Sequence, residues 1–374
     1  MIKYLLNSLF FGALIGLSTA SYMIGLEKIA DFHIKNSMYP MFLIIVFVII
    51  YFIKRFTLYF PTTVHEVMAA SDVEQKHWNS FSYLLNLLGS WMSHFAGASL
   101  GREGTVIALT ASLTHSLKLN WNYFKPVIVS AALACATGQP LLALVIISEL
   151  FKTRIDQKIF SLIMTWVAVL ILKSFNVQPL FSEIIVDLNF GFWMKILIVF
   201  MIAINAGLLS QLYKKAFFYL LEFFKKNRLI SAAVVIALTW LLIQPQFKVV
   251  HSLSLDMFKL IQNGESDWHN LFLKYSFTLL FVSLGFIGGD FVPLIVIGSG
   301  FGVLIANKIG VPYTFGLSLG LMSFFTGTTR LKWTSLCLVY LLSGFTVTLW
   351  AYLCLSIVRY FSGPLSLYKK SGII

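Results

Sequence analysis

Long apolar runs follow one another along almost the whole chain, separated by short polar breaks. A hydrocarbon layer about 30 Å thick is crossed by about 20 residues of α-helix. Runs suited to that task fall at 4–26, 39–56, 80–100, 126–150, 159–175, 190–221, 229–244, 272–287, 292–308, 314–328 and 334–361. Only 11% of the residues are charged while 58% are hydrophobic. So few charges do not cover a water-facing surface. An all-α, polytopic membrane protein is expected, and an ordinary soluble enzyme and a disordered chain are excluded.

The formal charge is +13. The cations cluster between apolar runs, at Lys54-Arg55, Lys152/Arg154/Lys158, Lys214-Lys215, Lys225-Lys226/Arg228 and Lys369-Lys370. That distribution follows the positive-inside rule and suits contact with anionic lipid, not nucleic acid. Cys135, Cys337 and Cys354 lack metal-ligand spacing and read as small core hydrophobes, so neither a metal nor another cofactor is expected. The first apolar run continues past a faint cleavage-like Ser18-Thr19-Ala20-Ser21, which favours a retained helix over a signal peptide. No regulatory domain is expected after the last run.

Some runs are short and interrupted by glycine, notably 104–117 and 292–308. Helices that stop inside a membrane are tolerated only where protein or a water-filled path surrounds their ends, and they point to ion or substrate sites. The segment 61–79 reads as a re-entrant or loop segment, and 245–270 as an extramembrane loop. Two landmarks recur. Gly101-Arg102-Glu103-Gly104 opens a short apolar helix, and Ala136-Thr137-Gly138-Gln139-Pro140 follows. Gly288-Gly289-Asp290-Phe291-Val292-Pro293 opens another, and Phe325-Thr326-Gly327-Thr328-Thr329 follows. Gly289 lies 188 residues after Gly101, and Gly327 lies 189 after Gly138. The expected organisation is one transmembrane domain of two half-repeats, roughly 1–180 and 190–374, meeting at a shared site.

Glycines before a helix start let backbone N–H groups approach an ion closely. A helix N-terminus has unpaired N–H groups and a partial positive charge, which together hold an anion without a metal. Close helix packing is the alternative use of such glycines. Glu103 stands at one of these starts. Ionised, its carboxylate occupies the anion position; protonated, it is free to leave. Stabilisation of its own helix is the plainer reading. Arg102 either pairs with Glu103 or meets a phospholipid headgroup. Glu149, at the end of an apolar run, and Asp290, at the second turn, are each either helix-end acids or members of a proton route.

The string Gly101-Arg102-Glu103-Gly104 resembles the G-R/K-E-G motif of the CLC chloride channel and transporter family. Residues 288–302 resemble that family's G-x-F-x-P motif, and 136–150 its Pro-Leu-rich segment ending in Glu. Residues 362–372 resemble its C-terminal stretch with a central tyrosine. Order and spacing agree over roughly 60–372. The resemblance implies an inverted repeat with broken and re-entrant helices and a homodimer with one pore per subunit. It implies Glu103 as the gating glutamate, backbone amides of Phe291 and Val292 at the anion, and Tyr368 as an inner hydroxyl. Gly101, Arg102 and Gly104 join the anion site. Thr62 in Pro61-Thr62-Thr63-Val64-His65-Glu66 stands where many members have a Gly-Ser-Gly-rich stretch. Thr105 in place of proline is typical of the fluoride-exporting branch. That branch usually reads Gly-Gly-Glu-Val-Thr-Pro at the second motif, whereas Asp290, Phe291 and Val292 stand here. Arg330 and Lys332 fall where an apolar helix start is usual.

The function so implied is halide transport, of chloride or fluoride, gated by Glu103 with protons as possible partners, in the inner or plasma membrane. Two alternatives stand beside it. One is an intramembrane enzyme built on His94, His115 or His251. It has no His-Glu-x-x-His pattern despite adjacent His65 and Glu66, and no Gly-x-Ser-x-Gly elbow. The other is a degenerate relative that no longer conducts.

Overall fold

The computed structural model describes residues 2–56, 67–68, 80–116, 121–177 and 183–368. Apart from one isolated bridge, the described residues form helices and their connections. In chain order these are α1 (Ile2–Lys35), a 3-10 turn (Tyr39–Phe42), α2 (Leu43–Phe56), α3 (Ser80–Phe95), α4 (Glu103–Ser116) and α5 (Trp121–Thr137). There follow α6 (Leu142–Leu150), α7 (Ile155–Ser174), α8 (Phe192–Lys226), α9 (Arg228–Ile243), a second 3-10 turn (Pro245–Val250) and α10 (Leu255–Gln262). The chain continues through α11 (Trp268–Leu284), α12 (Phe291–Ile309), α13 (Tyr313–Thr329) and α14 (Lys332–Phe361).

Helix ends follow local chemistry. Asp267 caps α11 by accepting the Asn270 N–H at 3.0 Å, and α11 stops where Gly285 turns to φ +85°. By length and composition, 6–35, 155–174, 192–226 and 291–309 suffice to cross a membrane, and 332–361 would do so only if it ran straight. α4 does not: its 14 residues rise only about 21 Å. α8 and α14 turn Trp193, Leu212, Phe345 and Leu349 outward, as lipid-facing helices do.

Helix contacts follow a similar order in the earlier and later parts of the chain. α3 meets α4, α4 meets α5, α5 meets α7, and α7 lies along α1. α11 meets α12, α12 meets α13, α13 meets α14, and α14 lies along α8. α12 and α13 touch backbone to backbone where Gly298 and Gly302 face Gly316 and Gly320. Small residues permit that approach, which stands in for hydrophobic driving force inside a membrane.

Three expectations change. The run 126–150 is two helices, because Gly138 at φ +74° with Gln139 and Pro140 turns the chain between α5 and α6. The run 334–361 doubles back at Gly344 (φ +79°, ψ 177°). Lys332 Nζ therefore reaches Ser356 Oγ at 2.7 Å, although 24 residues of straight helix span about 36 Å. The segment 245–270 is no simple loop, since it contains the second 3-10 turn and α10.

Candidate functional site

The chain before α4 and the chain before α12 meet side by side. Gly101 N–H donates to the Gly289 carbonyl at 2.5 Å, and Gly289 N–H donates back to Gly101 at 2.6 Å. No side chain fits between these turns. A Cβ on Gly104 would lie 2.7 Å from Gly289 Cα, and one on Gly289 would lie 2.6 Å from Gly104 N. The starts of α4 and α12 therefore share one small region, and each brings unpaired N–H groups to it.

Glu103 is the first residue of α4 and is wholly buried. Its side chain bends back over the turn, with Oε2 3.1 Å from where a Gly101 Cβ would stand. The backbone N–H groups of Glu103 and Val292 attract the carboxylate, yet neither oxygen meets hydrogen-bond geometry. Arg102 Nε lies 3.5 Å from Oε1, and Arg102 Nη2 donates to the Ala136 carbonyl at 3.4 Å. The arginine thus takes the ion-pair option, not the headgroup option. A carboxylate held by the field of two helix ends, without firm hydrogen bonds, is open to displacement by another anion. Behind α4, Thr105 Oγ1 meets Ser90 Oγ at 2.8 Å, and Ser90 meets Tyr22 OH at 2.8 Å.

The second turn brings Asp290 and Tyr368 together, and the Tyr368 hydroxyl donates to Asp290 Oδ1 at 3.0 Å. The Phe291 ring meets Phe325 edge-on at 4.8 Å, and Phe325 lies 6.1 Å from the Tyr368 ring. The chain after α14 delivers Tyr368 because it is pinned along its length. Leu367 N–H donates to the Thr328 carbonyl at 3.0 Å, Ser366 Oγ donates to Thr329 at 2.7 Å, and Arg330 donates to the Gly363 carbonyl. Lys214 Nζ adds three bonds, to the carbonyls of Gly327, Ser362 and Leu365 at 2.7–2.8 Å.

A cavity of about 570 Å³ leads to this turn. Lys54, Arg55, Lys225 and Arg228 line it together with Gly289, Asp290 and Tyr368. Four cations over a low-dielectric wall concentrate anions there. Lys54 also donates to the Gly285 carbonyl at 2.9 Å, just past the end of α11.

Residues 45–363 match the family model described as voltage gated chloride channel. The chain belongs to the voltage-gated chloride channel (CLC) family. A protein of Pseudomonas syringae pv. tomato (strain ATCC BAA-871 / DC3000) named chloride/fluoride channel protein is 26% identical over 267 residues. That match covers 65% of this CLC chain and 58% of the relative's length. A solved CLC-type fluoride/proton antiporter superposes with TM-score 0.86 at 20% identity, over 98% of this chain and 97% of its own. A slow cyanobacterial Cl−/H+ antiporter gives 0.78 at 16%, over 96% and 94%. A eukaryotic CLC transporter gives 0.73 at 16%, over 98% and 74%. These likenesses establish the CLC fold. CLC proteins are channels or transporters, which sets aside the intramembrane enzyme.

Within the CLC fold Glu149 is engaged at a helix start. Its carboxylate accepts from Trp333 N at 3.0 Å, Thr334 N at 2.7 Å and Thr334 Oγ1 at 2.8 Å, which fastens α6 to the beginning of α14. No described contact joins it to Glu103 or Asp290. Thr62, His65 and Glu66 lie outside the described residues. His94 and His251 sit in one polar cluster, with His94 Nδ1 at 2.9 Å from Ser252 Oγ and His251 Nδ1 bonded to Tyr39 OH. The described residues hold no metal-ligating group of three.

Two buried lysines of the CLC chain escaped the sequence reading. The sequence sets Lys214 beside Lys215 in what reads as a loop cluster, but both lie within α8, and only Lys215 is exposed. Lys274 lies inside α11, wholly buried. The available signal was a charge within an apolar run.

Proposed function

We propose that the chain transports a halide, chloride or fluoride, past the paired starts of α4 and α12, in exchange for protons carried by Glu103. The supporting observation is the Glu103 carboxylate, buried between two helix N-termini with Arg102 as its one charged partner among the described residues. In this reading Gly101 and Gly104 leave room for the ion, and N–H groups near Phe291 and Val292 face it. Arg102 balances the ionised carboxylate. Protonation frees Glu103 from the positive ends, and a halide takes its place.

Asp290 with Tyr368 forms the inner end of the route, where the cationic cavity supplies anions and Asp290 accepts protons. Glu149 serves as the cap of α14. The names of the Pseudomonas relative and of the two antiporters support a halide substrate and proton exchange. The working unit is a homodimer in the cell membrane, with one path per subunit.

Purified protein in liposomes under a pH gradient tests the reading. Fluoride or chloride efflux should exceed that of empty liposomes and should drive protons uphill. Absence of halide flux would end the transport reading, and halide flux without proton movement would end the exchange mechanism.

A further inference from the structure

Lys274 differs from Lys214 in what surrounds it. Its ammonium donates to Ser99 Oγ at 2.9 Å and to the Ser252 carbonyl at 3.1 Å. An ammonium carries three N–H donors. Among the described residues no carboxylate pairs with it. Its titratable neighbours in the cluster, His33, Tyr39, His94, Lys248 and His251, bring no carboxylate either. Ser252 holds φ +49°, a strained left-handed backbone for a serine. Ser252 Oγ meets His94 Nδ1, Ser252 N–H donates to the Gly97 carbonyl at 3.3 Å, and the buried His94 Nε2 has no hydrogen-bond partner among the described residues. Ser99 Oγ is also within 3.0 Å of Thr278 Oγ1.

The cluster is therefore rich in donors, short of negative charge and directly next to the Gly101 turn. A buried cation without a counter-charge is costly, and an arriving anion offsets that cost. Its place is distinct from the cationic cavity. Lys274 precedes Leu284 by ten residues of α11, about 15 Å along the axis, whereas the cavity opens at the Leu284–Gly285 end.

We propose that Lys274, Ser99, Ser252 and His94 form a second halide site on the outer approach to Glu103. An anion held opposite Lys274 waits there before it competes with the carboxylate. The proposal rests on the halide-transport reading. Its test varies external and internal halide separately in liposomes of wild type, Lys274→Met, Lys274→Arg and His94→Gln. Lys274→Met should raise the half-saturating external halide about tenfold or more and leave the internal value unchanged. Lys274→Arg should stay within about threefold of wild type, and His94→Gln should raise the external value about threefold. An unchanged external value in Lys274→Met, or equal shifts on both sides, would overturn the site. If Lys274→Met does not purify as a monodisperse protein, an unchanged external value in His94→Gln overturns it. Wild-type liposomes without halide flux would sink the transport reading and this site with it, whereas a failure confined to the variants sinks the site alone.

Discussion

Gly101 and Gly289 stand 188 residues apart in the chain and exchange both of their backbone hydrogen bonds. The exchange joins the two halves at the point where two helix starts meet, and it needs bare backbone on both sides. Gly289→Ala forces its new methyl onto Gly104 N. The turns must part, at a cost of about 1–3 kcal/mol for overpacking. Thermal unfolding in detergent should show the loss, and halide flux should fall with it. Wild-type flux and stability in Gly289→Ala would contradict the close apposition.

Glu149 accepts three hydrogen bonds at the start of α14. Glu149→Ala leaves those donors unpaired and should cost about 1–2 kcal/mol of stability, in the range of lost helix caps. The number of protons moved per halide should stay as in wild type. An altered ratio at unchanged stability would return Glu149 to the proton route.

Lys214 holds the segment that carries Tyr368 through the carbonyls of Ser362 and Leu365 and ties it to Gly327 of α13. Lys214→Met should loosen the segment and raise the half-saturating internal halide more than the external one. Lys214→Arg should recover part of the loss. Tyr368→Phe removes the hydrogen bond to Asp290 and should act in the same direction by about 0.5–1.5 kcal/mol. Concentration dependence measured from each side checks both, and a symmetric change would show general unfolding in place of a positioning effect.

The cationic cavity should speed halide arrival by its field. Lys225→Glu together with Arg228→Glu reverses two charges on its wall. Flux of halide entering from that side should fall severalfold at low salt, and the deficit should shrink as ionic strength nears about 0.5 M. A deficit that ignores salt would assign these residues a packing role.

The sequence made the two turns legible because glycine and acid are conspicuous between apolar runs. Gly101, Glu103, Gly289 and Asp290 fall where two broken helices begin. The division of 126–150 was hidden, since Gly138 and Pro140 interrupt the helix for a few residues only and hydropathy continues through them. Lys214 and Lys274 were hidden for another reason. Their partners are carbonyls and hydroxyls far along the chain, such as Ser362 for Lys214 and Ser99 for Lys274. A charge inside an apolar run marks such a lysine as unusual, but it does not say which distant carbonyls or hydroxyls the ammonium meets. The role of Glu149 as a cap was likewise undecidable until α14 was seen to begin beside it.

In the proposed cycle a carboxylate and a halide compete for one pocket between two helix starts. Proton and halide movement measured together in liposomes of Glu103→Gln and Glu103→Ala tests it most directly. Halide-driven proton movement should fall to the background of empty liposomes in both variants, and their halide flux should no longer respond to pH. Proton-coupled, pH-sensitive flux persisting at the wild-type level in either variant would contradict it.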